Sequence, residues 1–62
     1  MNRDQAVPYI LADAFLSWWR EMGQPEIRSA FQYWADRENL KPRRRHAVWQ
    51  RVNELRRLRP AA

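Results

Sequence analysis

Sixty-two residues bound the molecule to one small domain, and a chain of that size buries only about 60% of the surface its unfolded form exposes. Cysteine is absent, which excludes disulfides and thiolate metal sites, and the one histidine, His46, cannot supply the ligand set of a structural zinc. The net charge of +5 hides an asymmetry: residues 1 to 39 carry four basic and six acidic side chains, residues 40 to 62 eight basic and one acidic. A polyanion or an acidic protein face is the partner such a C-terminal third would attract.

The opening "MNRDQ" has no hydrophobic stretch of the signal-peptide kind. The longest nearly apolar run, "VPYILADAFLSWW", is broken by Asp13 and Ser17 and is too short to span a bilayer. A soluble, cytoplasmic chain with no membrane contact is the expectation. Pro8 suits the first turn of a helix, and Leu11, Phe15, Trp18 and Met22 recur at helical spacing, with Gly23 placed just past the end. This predicts a first helix near 8–22. Adjacent Trp18 and Trp19 point about 100° apart on a helix and cannot both lie at the centre of one seam. Trp18 is then core, and Trp19 either covers a flank or anchors an interface, for instance in a homodimer.

A second helix is predicted near 26–38, with Ile27, Ala30, Phe31, Trp34 and Ala35 as its buried stripe and Glu26 in the first turn, where a carboxylate complements the helix dipole. The third, near 43–58, has Val48, Val52, Leu55 and Leu58 as its stripe, and Pro60 as its stop. Strand signals and internal repeats are lacking. The whole chain reads as a single all-α, compact three-helix domain, orthogonal or bundled, with loose ends.

The third helix begins with "KPRRR", and each cation in a first turn opposes the helix dipole by about 0.3–1 kcal/mol. An anion bound there would reverse that sign. On a 3.6-residue wheel centred on Val48, the opposite side collects Arg43, His46, Gln50, Asn53 and Arg57 in one unbroken polar stripe. Arg, Gln and Asn carry the donor and acceptor pairs that match guanine and adenine edges, and His can donate to a base or a phosphate. Lys41, Arg44, Arg45, Arg51 and Arg56 flank the stripe and suit phosphates, which set register without reading sequence. Eleven arginines against one lysine agree with bidentate anion contacts. Trp49 lies about 100° from Val48 on the wheel, so it closes the groove between the second and third helices or stands beside the basic face as an interface residue, a stacking surface for a base.

The segment "IRSAFQYWADRENLKPRRRHAVWQRVNEL" resembles a helix-turn-helix DNA-binding unit over less than half the chain. Ala35 corresponds to the small residue where the helices cross, Leu40 to the apolar residue leaving the turn, and the helix after Pro42 to the recognition helix. Two departures stand out: Asn39 replaces the customary glycine, which a left-handed conformation tolerates, and Arg45 stands where the pattern has an apolar residue. The resemblance implies double-stranded DNA as ligand, and small Arg-rich proteins of this type are similar to accessory regulators of phages and plasmids.

Catalysis is not expected. The chain has two isolated serines and no threonine, and Asp36 and Glu38 lie two apart, on different faces of a helix. No cofactor or metal is called for. Two functions fit: a small DNA-binding regulatory or accessory protein with its third helix in the major groove, or a protein-interaction module, an inhibitor or adaptor, whose aromatic and arginine surface docks on an acidic protein.

Overall fold

The computed structural model describes residues 3–58, with side chains from residue 6 onward. Three α-helices follow one another: α1 (Arg3–Glu21), α2 (Ile27–Arg37) and α3 (Pro42–Leu58). The all-α three-helix architecture is as the periodicity predicts. Pro60 lies outside the described residues.

Helix α1 begins five residues before the expected start, which places Pro8 inside it. Proline at position 8 offers no N–H to the carbonyl of residue 4, so one helical bond is missing there. The ring is instead buried, beside Leu40 and Ala47 at one end of α3. The apolar stripe is also turned relative to expectation. Ala12, Phe15 and Leu16 are buried, Leu11, Trp18 and Trp19 pack on them from the flanks, and Met22 is 59% exposed. Met22 faces water because the helix has already ended: Gly23 at φ 87° and Gln24 at φ 57° turn the chain, with Gln24 N–H donating to the Trp19 carbonyl and Gly23 N–H to that of Arg20. This paired arrangement satisfies two carbonyls that the helix end would leave open.

Glu26 caps α2 rather than lying within its first turn. Its carboxylate accepts from the backbone N–H of Ser29 at 2.7 Å and of Arg28 at 3.2 Å, two donors that precede the first intrahelical bond. The Ser29 bond is the main reason the Glu26 carboxyl is held below the usual glutamate range. At the other end the same closing motif recurs, with Asn39 at φ 59°, Asn39 N–H on the Asp36 carbonyl and Leu40 N–H on that of Ala35. Asn39 thus does fill the glycine-like place of the turn.

The core is aromatic. Phe15 meets Phe31 edge-on at 5.1 Å between ring centroids and Trp34 at 5.4 Å, and Phe31 also meets Trp49 at 5.0 Å. Such pairs contribute about 0.5–1.5 kcal/mol each beyond burial. Ala12 and Ala35 are wholly buried, and so are Val48 and Val52 of α3. Small residues at these points let the helices approach closely. Leu55 is half-buried and Leu58 is 71% exposed, so the α3 stripe ends one turn earlier than its spacing suggested. Helix α3 packs mainly on α1 and meets α2 through the turn and the Phe31 and Trp49 rings.

Candidate nucleic-acid interface

Burial of Val48 and Val52 on α1 sets the roll of α3 and turns the opposite side outward. Arg43, His46, Gln50 and Arg57 are exposed along it, and among the described residues none of the four takes part in an ion pair. Asn53 is half-buried, and its Nδ2 donates to the Trp49 carbonyl one turn back at 3.2 Å. It remains on the stripe with one amide hydrogen engaged. A shallow recess of about 490 Å³ lies along the C-terminal half of α3, bordered by Gln50, Arg51, Asn53, Glu54 and Arg57.

The three arginines at the start of α3 have different fates. Arg43 is exposed. Arg44 is half-buried beside Pro8, Leu40 and Ala47, and its Nη1 is buried with no hydrogen-bond partner. Arg45, expected to flank the stripe as a phosphate contact, is drawn back over the turn: Nε donates to the Leu40 carbonyl at 2.9 Å and Nη2 to Asp36 at 2.5 Å. Its stem and bonds occupy the place that the helix-turn-helix pattern gives to an apolar residue. The first intrahelical bond of α3 is Arg45 N–H to the Lys41 carbonyl, so the N–H groups of Arg43 and Arg44 precede it and face the same end as the cations. That end combines helix dipole and guanidinium charge.

One further flanking cation, Arg51, is matched internally. Arg51 donates to Glu54 at 2.6 Å and lies 4.7 Å from the Tyr9 ring centroid, joining α3 to α1. The Glu54 bond is the chief cause that raises Arg51 above the usual arginine value. Glu54, the single acidic side chain of residues 40 to 62, therefore has a partner of its own. Arg56 stands 5.8 Å from the Trp19 ring, and Lys41 is exposed.

The two residues singled out as interface tryptophans are both half-buried and engaged within the chain. Trp19 Nε1 donates to the Pro25 carbonyl at 2.8 Å, tying the end of α1 to the turn. Trp49 closes the α2–α3 groove against Phe31. Sequence reasoning missed the other side of that groove: Arg28 and Gln32 of α2, both exposed, face the Trp49 edge of α3. Their four-residue spacing next to Phe31 was the available signal. It also missed a second aromatic surface, where Tyr33, 60% exposed, stacks on Trp18 at 6.1 Å and Arg37 lies 5.6 Å from the Trp18 ring.

No family model, curated protein or solved structure matches the chain. No helix among the described residues is long and apolar enough to cross a membrane.

Proposed function

We propose that the chain is a small DNA-binding regulatory or accessory protein of the cytoplasm that places α3 in the major groove. The observation that carries this reading is the exposed row of Arg43, His46, Gln50 and Arg57, unpaired among the described residues, on the side of α3 opposite buried Val48 and Val52. Major-groove recognition needs such a row, because guanidinium and amide groups must reach base edges while neighbouring cations hold phosphates. Arg43, Arg44 and Lys41 at the start of α3 supply the phosphate clamp, and Arg57 and Arg56 supply one near its end. Arg45 and Arg51 belong to the fold instead. One module makes few contacts, so a homodimer spanning two half-sites, or a place in a larger assembly, completes the recognition.

Duplex binding measured by fluorescence anisotropy tests the proposal. Gln50→Ala should cost about 1–3 kcal/mol on a specific site and leave random DNA nearly unchanged, whereas Arg43→Ala should weaken every sequence alike. Equal binding by parent and both variants would refute it.

The Tyr33, Trp18 and Arg37 surface favours a second reading, a module that docks on an acidic protein. Under that reading Tyr33→Ala abolishes partner binding and duplex DNA is not bound at all.

A further inference from the structure

We propose that the groove between α2 and α3 receives an unpaired nucleobase, stacked against Trp49, with its phosphate held at the rim by Arg28 and His46. The inference rests on the nucleic-acid reading and goes beyond it, since a major-groove helix needs no such pocket. Buried Phe31 and half-buried Trp49 line a groove of about 390 Å³, with Arg28, Gln32, Pro42 and His46 exposed around it. That volume lies at the low end of the roughly 300–1,000 Å³ typical of small-ligand clefts. No carboxylate lines it.

Three features fit a nucleotide together. The Trp49 indole is backed by Phe31 at 5.0 Å, so a base would stack on a ring already fixed in place. Gln32 offers an amide whose donor and acceptor pair suits a base edge. Arg28 and His46 provide donors for the phosphate on either side of the groove, one from each helix. Arg45, the remaining cation of the lining, is already engaged by the Asp36 carboxylate and the Leu40 carbonyl. An acidic peptide would satisfy the cations, but its carboxylates offer no flat ring to stack on the indole. His46 belongs to both this groove and the α3 stripe, so a base in the groove is continuous with a strand tracking along α3.

The test is an NMR titration of the full chain with three probes: a single-stranded oligothymidylate, a blunt duplex of random sequence, and polyglutamate. The oligothymidylate is expected to move the Trp49 indole N–H resonance and the Arg28 and Gln32 signals. Trp49→Leu should weaken its binding roughly 5- to 150-fold, the range of one lost stacked base. Arg28→Ala and Gln32→Ala change exposed residues and keep the fold, so they carry the test if Trp49→Leu does not fold; each should weaken oligothymidylate binding several-fold with little effect on the duplex. If the duplex moves Gln50 and Arg57 while the oligothymidylate leaves Trp49 unmoved, this inference falls and the DNA reading stands. If neither nucleic acid binds, both fall. Polyglutamate moving the groove signals in place of the oligothymidylate would overturn the inference in favour of an acidic peptide.

Discussion

Arg45 reaches back across the α2–α3 turn to Asp36, with Nη2 2.5 Å from the carboxylate while Nε holds the Leu40 carbonyl at 2.9 Å. One side chain thereby fastens the last turn of α2 to the first turn of α3. The cost of a cation at a helix start is offset here inside the molecule, and the anion-binding role passes to its neighbours. Arg45→Ala should destabilise the domain by about 1 kcal/mol, most of it from the carbonyl left without its donor, because exposed ion pairs themselves contribute little. Arg43→Ala should leave stability within about 0.5 kcal/mol of the parent. Thermal unfolding of the two variants separates them, and the reverse order would contradict the assignment.

Phe31 and Trp34 are 6% and 3% exposed and share the Phe15 ring between them. Truncating either to Ala should cost roughly 3–5 kcal/mol. A domain this small has little more than that in total, so circular dichroism at 25 °C should show both variants largely unfolded. Melting within a few degrees of the parent would remove the residue from the core.

Trp19 is expected to act on the monomer first. Its indole N–H closes the α1–α2 turn on Pro25, so Trp19→Phe, which keeps an aromatic ring but loses the donor and part of the packing, should destabilise the domain by at least the value of one hydrogen bond, about 0.5–1.5 kcal/mol. Sedimentation then tests the homodimer: a Trp19→Ala chain that stays folded but loses a dimer formed by the parent would restore its interface role.

Glu26 gives the fold a pH dependence of definite sign. Its carboxyl is held low in the folded chain by the Ser29 and Arg28 N–H groups, so its contribution is complete above the ordinary glutamate pKa, about 4.3, and is lost as pH falls through the lower folded value. Unfolding followed from pH 6 downward should show the stability difference between parent and Glu26→Gln shrinking below about pH 4–5. A difference that stays constant to low pH would mean that the carboxylate cap contributes nothing.

The fold was legible because its signals are local. Glycine, proline and asparagine mark both turns, and the spacing of Ala30, Phe31, Trp34 and Ala35 alone identifies the buried face of α2. The start of α1 was not legible, since proline's preference for a first turn gives way when its ring is buried against another helix. Met22 and Leu58 were misplaced for a related reason: periodicity continues past the point where a helix ends or leaves its neighbour. The candidate surface was half legible. A wheel shows which α3 residues oppose Val48, but only tertiary structure reveals that Arg45 turns to Asp36, that Arg51 turns to Glu54, and that Arg28 and Gln32 come across from α2 to border Trp49.

The most direct test of the DNA reading is the salt dependence of binding to random duplex DNA by the parent, Arg43→Ala and Arg45→Ala chains. Each phosphate contact releases counterions and adds about 0.9 to the slope of log affinity against log salt concentration. The parent should show a steep slope, Arg43→Ala should lower it by about one, and folded Arg45→Ala should keep the parent's value. A flat or absent response down to low salt, or an equal loss of slope in both variants, would contradict an exposed α3 row that meets DNA while Arg45 stays with the fold.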